Sequence, residues 1–367
     1  MSRLVFTGGG TLGHVMPNLY LIEELKDEHE IFYIGSNGIE KDRVKSKKIT
    51  YYEISATKLF RGKFTRNLSI PFKLIKAIKE AKKVLKEISP DLVVSKGGYV
   101  SLPVCIAARK LRIPIISHES DYSFGLANKI ILKISNVMCV NYEHLVGTHK
   151  NIVYTGPIIS NEFKLANIKS DIKLKLNPNK PTILFIGGSS GSKKINETVI
   201  NALPKLLEKY NVIHIVGKGN LTKTQGEYYN QLELCNNMPY VYSISDLVVG
   251  RAGAGVIFES AYMQKTMLLI PLQNKNSRGD QVQNANYFKN KGGAKVLLEA
   301  ELNPITLTKY IETSLRNSDN MKINLKKLDL SKGKDKMLKI IKENLNKWNL
   351  INKKIWLTNW LIRFFLI

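Results

Sequence analysis

Short apolar, β-rich runs alternate along the chain with segments whose apolar positions recur at helical spacing. LVFTGGG (4–10) precedes a helix predicted near 15–27, and IFYIGS (31–36) follows it. DLVVSKGG (91–98) leads to a helix near 101–111, IPIISHE (113–119) to a helix near 124–134, and NVMCVN (136–141) comes next. This is the rhythm of a parallel sheet with crossover helices. A polar stretch with prolines, from Gly156-Pro157 to Asn179-Lys180-Pro181, reads as a linker. The rhythm then restarts with TILFIGG (182–188), a helix near 193–209 and NVIHIVG (211–217). It continues with SDLVVGRAG (245–253), a helix to about 264 and TMLLIPL (266–272). The expected fold class is α/β, with two Rossmann-like doubly wound domains facing a cleft. Such sheets bind ligands at the carboxyl ends of their strands, so that cleft is the expected site.

Charge narrows the choice of partner. The 367 residues carry 56 Lys+Arg against 30 Asp+Glu, a formal charge of +26, which asks for an anionic partner. Lys58, Arg61, Lys63, Arg66, Lys73, Lys76, Lys79, Lys82, Lys83 and Lys86 crowd one segment that holds a single acid, Glu80. Within it Leu74, Ile75, Ile78, Ala81, Leu85 and Ile88 recur at helical spacing, with Lys73, Lys76, Lys83 and Lys86 off that stripe. The pattern suits either an anionic membrane surface or an ordinary domain helix with a solvated lysine face. No nucleic-acid reader motif is present, and the aromatics do not interleave with the basic run, so nucleic acid is not expected. Cys105, Cys139 and Cys235 are too few and too scattered for a disulfide framework or a thiolate metal site. With no export pattern at the N-terminus and no long apolar window, a reduced, cytosolic protein is expected.

The candidate chemistry sits in the turns after the strands. Gly8-Gly9-Gly10-Thr11-Leu12-Gly13 fits G-x-G-x-x-G between a strand and a helix, the form of a dinucleotide site. Such a site wants an acid at the end of the second strand, and none occurs before Glu40, which argues against an NAD-dependent oxidoreductase. What remains is a turn whose free N–H groups favour phosphate or developing negative charge. Lys96-Gly97-Gly98-Tyr99, Gly187-Gly188-Ser189-Ser190-Gly191-Ser192-Lys193-Lys194 and Arg251-Ala252-Gly253-Ala254-Gly255 follow other strands in the same way. Four such loops imply two phosphorylated ligands, or one long one. His14, read at a helix N-terminus that keeps it neutral, is the candidate base. Glu259, on the helix opened by the last loop, is suited to both hydroxyls of a ribose. The amides of Ser277–Ala285 suit an amino sugar. The histidines show no metal-ligand spacing, and neither metal nor cofactor is expected.

Taken together, FTGGGTLGHVMPN, YIGSNGIE, SKGGYVSLP, IPIISHESD, GLANK, FIGGSSGSKK, RAGAG and SRGDQVQNAN resemble, in order, the MurG family. These are the UDP-N-acetylglucosamine:lipid I N-acetylglucosaminyltransferases of peptidoglycan synthesis. The resemblance implies a glycosyltransferase-B fold, with an acceptor and membrane-side domain over 1–158 and a UDP-sugar-binding domain over 159–330. A helix over 331–347 would return toward the first domain, and 348–367 would be an added tail. By position, His14 matches the family's proposed base. Thr11, Leu12, Gly13, Ser189, Ala254, Gly255, Val256, Ile257, Phe258, Glu259 and Gln281 match donor-binding positions, with Glu259 at the ribose and Gln281 at the sugar. Gly97, Gly98, Tyr99 and Asp121 fall on the acceptor side. The implied partners are UDP-N-acetylglucosamine, an undecaprenyl-diphosphate-linked acceptor and an anionic membrane, placing the protein peripherally on the cytoplasmic face. The alternatives are a UDP-sugar 2-epimerase, a glycolipid synthase or a catalytically silent membrane-surface scaffold. Two positions depart from the family: Asp121 stands where many relatives have Asn, and Ser160 where relatives usually place Arg. Leu234-Cys235 is the best match to the segment flanking the uracil.

The tail, WNLINKKIWLTNWLIRFFLI, is apolar but interrupted by Lys353, Lys354 and Arg363, which makes a membrane crossing improbable. Trp348, Trp356 and Trp360 beside those cations suit a membrane interface. Packing against the first domain is the competing expectation.

Overall fold

Strand β1 (Arg3–Thr7) buries Leu4, Val5 and Phe6 alike, the mark of a parallel strand covered on both faces. The computed structural model describes residues 1–58, 69–164, 168, 170–273 and 278–365, at 349 and 351–365 by their backbone alone. Around β1 lie β2 (Glu30–Gly35), β3 (Thr50–Glu53), β4 (Leu92–Ser95), β5 (Ile115–Glu119), β6 (Val137–Val140) and β7 (Ile152–Tyr154). Their order is β3-β2-β1-β4-β5-β6-β7, every pairing parallel. A second sheet runs β10-β9-β8-β11-β12-β13. Its strands are β8 (Thr182–Ile186), β9 (Asn211–Ile215), β10 (Tyr229–Leu232), β11 (Leu247–Gly250), β12 (Thr266–Leu269) and β13 (Lys295–Val296). In both sheets the order reverses beside the first strand, between β1 and β4 and between β8 and β11. At these switch points two neighbouring loops open onto the same sheet edge.

The chain divides into two compact units. Unit 1 holds Met1–Ser120, Phe124–Ile158 and Lys332–Ile367, and unit 2 holds Asp121–Ser123 and Ile159–Ser331. The core of unit 1 takes Leu4, Phe6 and Val94 from its central strands and Met337, Ile341 and Leu345 from the last helix, Gly333–Phe365. Lys334 of that helix is buried and ion-paired with Glu24. Unit 2 packs helix Lys193–Lys209 on one side of its sheet through Ile195, Val199, Leu203 and Leu206. Val241 and Tyr242 pack with Leu184, Ile213 and Val248.

Two sequence expectations need correction. The stretch after Gly156 is not a free linker: Ile158, Ile159 and Phe163 are buried, and the Asn177 N–H donates to Asn211 Oδ1 (2.7 Å). In helix Ile70–Ile88 the buried stripe is Ala77, Ala81, Leu85 and Ile88, whereas Ile75 is 52% exposed and Phe72 76%. Its first turns therefore present apolar side chains among lysines. Arg61, Lys63 and Arg66 lie outside the described residues. The last helix runs unbroken from Gly333 to Phe365, so the tail continues a core helix. Among the described residues no helix is long and apolar enough to cross a membrane.

Candidate active site

The first glycine-rich loop is filled by its own unit. The Gly8 carbonyl accepts from the Tyr33 hydroxyl (2.8 Å), and Asn18 Nδ2 donates to the Thr7 carbonyl (3.0 Å). A Cβ on Gly9 would stand 2.5 Å from the Glu40 carboxyl, and one on Gly10 (φ +82°) 2.5 Å from the Tyr99 ring. A side chain at either place requires the loop or that neighbour to shift. The Gly10 N–H donates to Glu40 Oε2 (3.1 Å). The expectation of a loop of free amides awaiting phosphate is therefore corrected at Gly10, where a carboxylate of the protein already occupies the donor.

His14 ends a short turn, Leu12–His14, just ahead of helix Met16–Leu25, rather than standing in the helix itself. Its Nδ1 is 3.1 Å from Thr11 Oγ1. A Cβ on Gly98 (φ +83°) would come within 3.2 Å of that nitrogen, so the second loop closes directly over the imidazole. This follows from the sheet, since Thr7 and Ser95 are paired and the Lys96 N–H donates to the Thr7 carbonyl (2.9 Å). The unit thus brings Thr11, Leu12, Gly13 and His14 together with Gly97, Gly98 and Tyr99. Lys96 does not join them, because it is 1% exposed and its ammonium donates to Ser120 Oγ. Beside it His118 is buried, and desolvation, then the Lys96 charge, hold its imidazole well below the usual histidine range. Glu119 accepts from Asn128 Nδ2 (2.9 Å) and the Gly125 N–H (3.1 Å).

The loops of unit 2 are tied from behind and open in front. Gly191 (φ +72°) lies so close to the Val216 carbonyl that a Cβ would be 2.0 Å away, which fixes the loop between β8 and helix Lys193–Lys209. Ser192 caps that helix, accepting from the Ile195 N–H (3.4 Å), and also accepts from Arg251 Nη2 (2.7 Å). Arg251 further donates to the Ile270 carbonyl (3.3 Å) and pairs with Glu299. Its charge braces three strand ends instead of facing a ligand. Cβ atoms on Gly188, Gly253 or Gly255, by contrast, would meet nothing within 4 Å. The half-exposed Ser189 lies on the first of these loops. Gly253 caps helix Ala254–Tyr262 with extended backbone and no side chain over its first N–H groups, which leaves them to an anion.

Along that helix Ala254, Ile257 and Phe258 are buried, while Gly255 is exposed and Val256 is partly exposed. Glu259 is partly exposed as a residue, yet burial of its carboxyl pushes the pKa up to about 7, with the Tyr242 hydroxyl pulling the other way. Gln281, on the first turn of helix Asp280–Asn290, accepts the Leu272 N–H on Oε1 (3.0 Å), which orients its amide and leaves Nε2 to donate. Ser189, Ala254–Glu259 and Gln281 follow β8, β11 and β12 in one unit, on neighbouring strands.

Asp121 is placed with unit 2, where its carboxylate pairs with Arg278 and accepts from Asn284 Nδ2 (3.1 Å). Asn284 is fully buried and also takes the Tyr122 N–H (2.8 Å). Ser160 is buried and its Oγ accepts the Glu162 N–H (3.2 Å), a local cap in place of a cation. Lys193 is exposed and lies 3.7 Å from Glu197. Ser277 falls outside the described residues. Sequence reasoning missed Glu40, Tyr33, Asn18 and Asn284. The available signal was an acid in the first turn of helix Ile39–Lys45, two residues after a glycine. Among the described residues no three His, Cys, Asp or Glu side chains gather where a metal ion would sit.

Residues 4–139 match the glycosyltransferase family 28 N-terminal domain, and residues 182–342 match its C-terminal domain. A Bacillus cereus protein, UDP-N-acetylglucosamine--N-acetylmuramyl-(pentapeptide) pyrophosphoryl-undecaprenol N-acetylglucosamine transferase 2, is 41% identical over 351 residues. That alignment covers 93% of this chain and 98% of the relative. A Clostridium botulinum protein of the same name without the numeral is 43% identical, covering 94% and 99%. Among solved structures, MurG of Acinetobacter baumannii superposes with a TM-score of 0.72 at 25% identity, over 94% of this chain and all of that one. The glycotransferase of kitacinnamycin reaches 0.70 at 14% identity, a likeness of fold alone.

Proposed function

The chain belongs to the MurG family within glycosyltransferase family 28, and from that premise we propose that it transfers N-acetylglucosamine from UDP-N-acetylglucosamine to lipid I. Its fold is the α/β glycosyltransferase-B fold. The acceptor is an undecaprenyl-diphosphate-linked muramoyl-pentapeptide and the product is lipid II, a step in peptidoglycan synthesis. Relatives at 41% and 43% identity over nearly their whole length favour this transfer over an epimerase, a glycolipid synthase or a silent scaffold.

In this reading His14 removes the proton of the muramoyl O4 as that oxygen attacks C1 of the sugar. The C1–O bond to the β-phosphate breaks on the opposite face, which inverts the anomeric centre. The first N–H groups of helix Ala254–Tyr262 and the Gly187–Ser192 loop take the charge that grows on the leaving UDP. Glu259 accepts the ribose hydroxyls and Gln281 Nε2 meets the sugar, with no metal in the step. Gly97, Gly98 and Tyr99 serve the acceptor. The first turns of helix Ile70–Ile88, with Phe72 and Ile75 exposed among lysines, rest on an anionic membrane at the cytoplasmic face.

The observation that carries the donor assignment is the open space in front of Gly188, Gly253 and Gly255, on the strand ends that also bear Glu259 and Gln281. The test is UDP release with a prenyl-diphosphate muramoyl acceptor in the presence of chelator, with the anomeric configuration of the product read by NMR. Acceptor-dependent release and a β-linked product are expected. Release that needs a divalent cation removes the metal-free step, and release indifferent to the acceptor removes the transfer itself.

A further inference from the structure

Glu40 has no place among the ligand-binding groups, yet the first glycine-rich loop rests on it. The side chain is 0% exposed. Oε2 accepts the Gly10 N–H (3.1 Å), while Oε1 accepts the Ser36 N–H (2.9 Å) and the Ser36 hydroxyl. Its carboxyl also lies where a Cβ on Gly9 or Gly38 would have to go, at 2.5 and 2.7 Å. The three tyrosines around it, Tyr33, Tyr51 and Tyr99, have hydroxyl pKa values raised by burial first and by the Glu40 charge as well. Gly10 is held in a left-handed conformation, and the next residue is Thr11, whose Oγ1 meets His14 Nδ1 at 3.1 Å. A continuous path of hydrogen bonds and adjacent backbone therefore links the buried carboxylate to the imidazole.

We propose that Glu40 is a positioning residue for His14, pinning Gly10 so that the Thr11–His14 turn presents the imidazole to the acceptor hydroxyl. The proposal rests on the reading of His14 as the base. Misplacing a catalytic group by about 1 Å costs on the order of 10²-fold in rate.

The test uses Glu40→Gln, which matches the carboxyl in shape and keeps one oxygen for Ser36, but turns an N–H₂ toward the Gly10 N–H. The expected result is a kcat lower by about ten- to a hundredfold, with the KM for UDP-N-acetylglucosamine within about twofold. In a His14→Ala background the same change should lower kcat no further. A normal kcat in Glu40→Gln, or losses that multiply with those of His14→Ala, overturns the role of Glu40 and leaves His14 standing as the base. A normal kcat in His14→Ala overturns that reading and the proposal with it. If Glu40→Gln does not fold, Glu40→Asp retains the charge, withdraws it from Gly10 by one methylene, and is put through the same comparison.

Discussion

Glu259 carries its own measurable signature. Because burial pushes its pKa from 4.5 up to about 7, the folded chain retains a proton between those pH values that the unfolded chain has lost. Stability should therefore fall as pH rises from about 4.5 to 7 and level off above, with a cost of up to about 3 kcal/mol at pH 8. Glu259→Gln should melt higher than the parent at pH 8 and match it near pH 4, as read by calorimetry. The same variant should bind UDP-N-acetylglucosamine more weakly at pH 8, where the parent offers a carboxylate to the ribose. A variant that gains no stability at pH 8 would show that the carboxyl is hydrated. The motifs offer Glu259 and His14 as candidates because their spacing to a glycine turn is local. They did not reveal Glu40, since the contact that defines it spans thirty residues and depends on β2 lying beside β1. Nor did they show that Lys96 and Arg251, both written beside glycines, spend their charges on Ser120 and on Glu299.

At the scale of elements, legibility followed position in the sheet. Nine central strands stand out in the sequence, whereas β3, β7, β10 and β13 do not, and these four are the edges of the two sheets. Central parallel strands are buried on both faces and read as unbroken apolar runs. Edge strands such as Thr50–Glu53 and Tyr229–Leu232 are short and half-exposed, so their sequences look like loop. Helix Ile39–Lys45 was equally silent, because it buries only Glu40 and Val44. Helix Ile70–Ile88 was legible as a helix, yet which side faces its neighbours was not. Lys73, Lys76, Lys79 and Lys83 are exposed on it, and each contributes on the order of 1 kcal/mol near an anionic surface. Changing all four to Gln should release the protein from phosphatidylglycerol-containing vesicles at low salt, while UDP binding stays as it was. Undiminished sedimentation with such vesicles would show that these lysines face only water.

For the whole molecule, the last helix joins two regimes. Met337, Ile341 and Leu345 belong to the core of unit 1, and the same helix continues to Phe365. Cutting the chain after Lys347 keeps those three anchors. The expected outcome is an unchanged melting temperature with weaker vesicle binding at high salt, where lysine contributions are screened. A melting temperature lower by several degrees, with vesicle binding intact, would instead make residues 348–367 part of the fold. Individual glycines also differ in what they answer to. Gly9 and Gly10 are enforced by their own neighbours, so Ala at either disturbs the folded chain itself. Gly255, in the first turn of its helix with nothing within 4 Å of a Cβ, is enforced by no neighbour. Ala there gains up to about 1 kcal/mol of helix stability. A mutant library sorted for heat resistance should accordingly enrich Gly255→Ala and purge Gly9→Ala, while one sorted for turnover should purge both. The difference between the two sorted populations would test the proposed donor site without any ligand being seen.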